Sequence, residues 1–125
     1  MAQLPVTTVP EGKVTAPQSV SGSPQTVSQS GTVTALAFSP DTSFTVPTGV
    51  VGAITVTRQT ASARDLPQSI IQVGTIPLTG GMTINANKPM TLHQTSLSAD
   101  DEITLSITLT SGVINFPGGS ADGTY

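Results

Sequence analysis

The residues with the widest chemical repertoire in this chain are one histidine, one run of acids and one adjacent pair of opposite charges. His93 is the only imidazole, and it stands between Thr91 and Thr95 in a stretch of strand character. To act as a general base it would need a nucleophile and an orienting carboxylate within reach, and the sequence around it supplies neither. The chain has no cysteine, and a lone histidine is too small a ligand set for a transition metal. His93 is therefore expected as a hydrogen-bonded strand residue. Asp100, Asp101 and Glu102 are the densest charge. Carboxylate oxygens suit Ca²⁺, which leaves a calcium site open. The run lacks the alternating D-x-[DN]-x-[DN]-G spacing of an EF-hand loop, and consecutive residues on an extended chain point to opposite sides. The plainer expectation is a solvated turn entering the strand that follows. Arg64 and Asp65 read as a loop ion pair of little energetic weight, or as a contact between subunits.

No phosphate-cradling glycine loop, nucleophile elbow or H-E-x-x-H helix motif occurs. Neither catalysis nor a cofactor is expected. The four cations, Lys13, Arg58, Arg64 and Lys88, are dispersed, and the net charge is −3. Such a chain cannot neutralise a run of phosphates, which argues against nucleic acid as a partner. No stretch is long and apolar enough for a membrane helix. The first 30 residues lack the basic and apolar regions of a secretory signal, so synthesis and assembly in a cytoplasm are expected. Aromatic residues are confined to Phe38, Phe44, Phe116 and Tyr125, few for a sugar-stacking groove. Ser and Thr number 35 of 125 residues, a composition that raises disorder as a possibility. Low charge and a mean hydropathy of +0.14 point instead to a folded chain, and its Val, Ile and Leu favour pleated surfaces.

The elements follow from the pattern. Residues 1–30 carry prolines at 5, 10, 17 and 24 with isolated apolar residues between polar ones. No stretch there has helical periodicity. This block reads as an extended arm that builds no core and becomes ordered by lying on something else. Leu4, Val6, Val9 and Val14 are its expected anchors on a partner. Strands are expected at 32–38, 43–46, 53–59, 69–76 (interrupted near Gly74), 82–85, 90–94, 102–110 and 113–116. The clearest is 102–110, where Ile103, Leu105, Ile107 and Leu109 alternate with Thr104, Ser106, Thr108 and Thr110. That is a strand with one face on a core and a hydroxyl face outward. Residues 117–125 read as a flexible tail. Short strands divided by Pro/Gly turns, with no helix, predict an all-β domain over 31–116, an antiparallel β-sandwich or jelly roll.

Two phrases carry a resemblance. At residues 43–57 the string SFTVPTGVVGAITVT resembles a strand–turn–strand phrase of virus and phage surface domains. At residues 97–112 the string LSADDEITLSITLTSG is similar to the late strand of jelly-roll heads in spike and fibre proteins, with Asp100 where a glycine is common. Together with the Cys-free, Thr/Ser-rich texture, the chain resembles small bacteriophage virion proteins: capsid decoration (cement) proteins, head-fibre bases and penton-like vertex proteins. The resemblance implies a structural protein of the virion, assembled in the host cytoplasm. Its partners would be the major capsid protein or other virion subunits, and it would form a homo-oligomer, with a trimer favoured. In this reading the arm pairs with a neighbour's sheet edge. The alternative expectation is a receptor- or glycan-binding domain whose site is built from loops 60–68 and 95–102.

Overall fold

Alternating Ile and Leu with Thr and Ser commits residues 102–111 to a strand buried on one side, and the rest of the molecule is assembled around it. The computed structural model describes residues 4–60, 70–93 and 95–125, and no helix occurs among them. In chain order the strands begin with β1 (Thr7–Val9), β2 (Gly12–Thr15), β3 (Gln18–Ser21), β4 (Gln25–Thr26), β5 (Gly31–Thr32), β6 (Ala35–Pro40), β7 (Phe44–Thr45) and β8 (Val51–Gln59). They continue with β9 (Ile71–Thr79), β10 (Thr83–Ile84), β11 (Lys88–Pro89), β12 (Thr91–Leu92), β13 (Ser96–Leu97), β14 (Glu102–Ser111), β15 (Val113–Phe116) and β16 (Gly119–Thr124).

The larger sheet runs β12-β9-β8-β14-β3, with β4 beside β3 along the same edge of β14. The smaller runs β1-β16-β6-β11, and three two-stranded ribbons (β10-β7, β13-β5, β15-β2) complete the pairings. All of these pairings are antiparallel. The protein is thus an all-β antiparallel sandwich, as its sequence predicts. Ile54, Val56, Val73, Ile76, Ile103, Leu105, Ile107 and Leu109 from the large sheet share one core with Leu36, Phe38 and Ala121 from the small one. Phe116 stacks on Phe38 with ring centroids 6.0 Å apart and meets the Phe44 ring edge-on at 5.8 Å. The interruption expected near Gly74 is a register shift in β9: Val56 opposes Gly74, and Thr57 opposes Gln72.

Two expectations are corrected. Residues 4–30 are extended, but they are woven into the chain's own sheets. β1 pairs with β16, β2 with β15, and β3 and β4 with β14. Leu4, Val9, Val14 and Val27 lie in the core. β1, β2 and β3 each turn a single apolar side chain inward, and β4 none. The segment therefore looks too poor to fold by itself, yet it contributes fully once its ladder partners arrive from residues 102–124. The expected tail is likewise a strand. β16 lies between β1 and β6, Ala121 is buried, and the Tyr125 hydroxyl donates to the Gln29 carbonyl at 2.9 Å. Its glycines mark close packing. A Cβ on Gly119 would sit 2.6 Å from the Phe38 ring.

Candidate functional site

The corner before β14 is built by the acidic run. Asp101 is only 2% exposed; its Oδ2 accepts the Ser98 N–H at 2.8 Å and faces Arg58 Nη1 at 3.4 Å. The main chain closes the corner: the Asp100 N–H donates to the Val27 carbonyl, and the Val27 N–H to the Asp101 carbonyl, each at 2.8 Å. Asp101 is therefore not on a solvated turn, because the register that sets Arg58 opposite Ile103 delivers a guanidinium to it. Asp100 is exposed and Glu102 half-buried, with Glu102 in register with Gln59 and Thr26. The three carboxylates sit in different surroundings. Among the described residues, no group of three or more His, Asp or Glu side chains is placed to hold a metal ion. Asp100 has φ +74°, the left-handed region that favours glycine.

His93 is exposed in a bend just after β12. Its backbone N–H donates to the Val73 carbonyl at 2.8 Å. The hydrogen bond expected of it is thus made by the main chain. Arg64 and Asp65 lie outside the described residues, as does most of the 60–68 loop. Of the four expected arm anchors, Leu4, Val9 and Val14 are buried in the chain's own core, which removes them from any partner; Val6 is 51% exposed. Sequence reasoning also missed Thr7. It is buried, and its Oγ1 accepts the Leu105 N–H at 2.9 Å. A strand of the small sheet thereby satisfies a donor that β14 leaves open between β3 and β4. Nothing local to Thr7 signals a partner 98 residues away.

Two surfaces remain as candidates. The first is an open groove of about 790 Å³ between β1, the β3–β4 link and the start of β16. Thr8, Ser23 and Ser120 line it beside Val6 and Pro10, with Asp41 as its one carboxylate and no aromatic ring. A single carboxylate among hydroxyls can hold a polar ligand, but it lacks the second group that acid–base work requires.

The second surface is the outward side of the large sheet. Ser21, Ser106, Thr55, Thr75 and Thr91 stand in register across five strands. One row along are Ser19, Thr108, Ala53 and Pro77; on the other side are Thr104, Thr57 and Gln72. These rows hold no charged residue. No protein-family model, curated protein or solved structure matches the chain.

Proposed function

We propose that the chain is a structural subunit of a larger particle, a small virion protein of the decoration or vertex kind that works by surface attachment. The observation that carries this reading is the uncharged outward side of the large sheet, backed by a core drawn from both ends of the chain. A stiff body with a surface that is cheap to desolvate suits docking on a repeated lattice, where many copies turn a modest contact into firm attachment. The groups capable of chemistry stand apart: His93 is exposed beside β12, and Asp101 is engaged by Arg58 and Ser98. The partner in this reading is the major capsid protein or another virion subunit. Attachment runs through the folded surface, since three of the four expected arm anchors are committed to the core. The test is to supply a tagged chain during infection and purify particles by density gradient. Quantitative mass spectrometry should find the chain in fixed proportion to the capsid subunit. Complete particles with the chain left in the soluble fraction would overturn the reading.

The groove at Asp41 favours a second reading, binding of a host receptor or glycan. The hydroxyls of Thr8, Ser23 and Ser120 beside one carboxylate suit a polyol. Binding of the isolated protein to host-surface glycans, lost in Asp41→Ala, would support it; no binding to any glycan presented would sink it.

A further inference from the structure

Residues 4–27 form a strap along one side of the sandwich. β1 is the edge strand of the small sheet, β3 and β4 lie along the edge of β14 in the large one, and β2 passes between them against β15. The two arms of the strap meet where the Thr8 carbonyl abuts Gly22. The strap has almost no structure of its own, because none of its four strands pairs with another of them. Among the described residues, every ladder and every other hydrogen bond that leaves residues 4–27 ends between Asp100 and Gly123. Its order therefore comes from the cleft that it fills. The open edges of β14, β15 and β16 supply the ladders, and Leu4, Val9, Val14 and Val27 fix the register by filling separate places in the core.

The rest of the molecule is paired without the strap. The runs β12-β9-β8-β14 and β16-β6-β11 stand by themselves, as do the β13-β5 and β10-β7 ribbons. The strap joins this body through residues 28–30, which are exposed and in no strand. Single hydrogen bonds hold that link: the Tyr125 hydroxyl donates to the Gln29 carbonyl at 2.9 Å, and the Ala99 N–H to Ser30 Oγ at 3.0 Å. An extended segment whose partners all lie beyond one short link fits the cleft of a second copy as well as its own, since the contacts are the same residue for residue. The occupant follows from the match. Inward side chains at 4, 9, 14 and 27, a glycine where β1 crosses, and a Thr7 hydroxyl for the Leu105 N–H are supplied together by another copy of the strap.

Concentration decides between the two arrangements. A short tether presents its segment to its own cleft at an effective concentration on the order of millimolar. Dilute chains close on themselves, and chains that fold together near that concentration exchange straps. Release from the finished fold exposes four core side chains, so the choice is made while the chain folds. In both arrangements these side chains stay in a core of this sequence and present nothing to a foreign surface.

We propose that the cleft along β14, β15 and β16 is an interaction site for residues 4–27 of a second copy, and that chains folding at high local concentration are joined by exchange of this strap. The proposal does not depend on the virion reading, because it concerns the isolated protein. The test uses the full chain, which has no cysteine. Thr8 and Ser120 stand directly opposite each other in the β1–β16 ladder, within the reach of a disulfide. Thr8→Cys and Ser120→Cys chains are unfolded in urea, mixed, refolded together and mildly oxidised. A covalent heterodimer should appear on a non-reducing denaturing gel, its yield rising about tenfold or more between about 10 μM and about 1 mM refolding concentration. The double variant Thr8→Cys/Ser120→Cys should shift over the same range from an intrachain to an interchain disulfide. Thr8→Cys mixed with Thr83→Cys, an exposed position whose strand pairs with β7 instead, measures chance collision and should give almost no heterodimer. The proposal is overturned if the Thr8–Ser120 heterodimer stays at the level of that control at about 1 mM, or if its yield does not change with refolding concentration. Either failure leaves the virion reading intact, because that reading is tested on particles.

Discussion

Two buried polar side chains hold the sheets in place, and each makes a measurable prediction. Thr7 Oγ1 is the acceptor for the Leu105 N–H. Thr7→Val keeps the shape but leaves that amide buried and unpaired, a loss of about 1–3 kcal/mol. Thr7→Ser keeps the acceptor and should stay within about 1 kcal/mol of wild type, with the packing of one methyl lost. Urea denaturation of the two variants separates these outcomes. Asp101→Ala removes the acceptor of the Ser98 N–H and strands a guanidinium whose side chain is 14% exposed. That residual exposure gives Arg58 some hydration, so the expected loss lies toward the lower end for a broken buried pair, about 3 kcal/mol. Asp100, at φ +74°, occupies the left-handed region that favours glycine. Asp100→Gly should be tolerated, whereas Asp100→Val should lower stability by about 1–2 kcal/mol, read from the shift in melting temperature.

The strands differ in how legible they are from sequence, for physical reasons. β14 and β8 are readable because each carries its own evidence: four apolar residues alternating with hydroxyls in the ten positions of β14, and Ile54 and Val56 alternating with Thr55 and Thr57 in the nine of β8. β1, β2, β4 and β16 are not, because two to six residues with at most one Val or Ala among them carry no periodic signal. Their strand character comes from partners far along the chain, as when Thr7 meets Ala121 and Val14 meets Ile114. The glycines misled for the same reason: without the fold, a site of close approach and a flexible joint look alike. Gly22 gives the sharpest case. A Cβ there would fall 1.5 Å from the Thr8 carbonyl oxygen, whereas nothing lies within 4 Å of one on Gly12. Gly22→Ala should therefore prise β1 from the link between β3 and β4, losing about 3 kcal/mol or more. Gly12→Ala should be nearly neutral. Equilibrium unfolding of the pair tests the crossing directly.

For the molecule as a whole, residues 4–30 are part of the domain. Removing them takes away Leu4, Val9, Val14 and Val27 from the core, leaves β15 unpaired, and strips β14 and β16 of the partner on one edge. The truncated chain should lose cooperative thermal unfolding and expose its core to a hydrophobic dye. A free-standing arm would instead leave a folded domain behind. What the sequence disclosed of the candidate site follows the same division. The hydroxyl alternation on β14 was visible, but its extension into rows across five strands depends on register, which no single strand encodes.

The pairing of β1 with β16 also sets an order of events during synthesis. β1 and β2 leave the ribosome well before β15 and β16, the strands they pair with. Until those arrive, the nascent chain exposes unpaired edges and depends on its scattered prolines and hydroxyls to stay soluble. A product that stops short of β15 and β16 leaves β1 and β2 without their ladders, so such fragments should be cleared by proteolysis while chains that reach Thr124 persist.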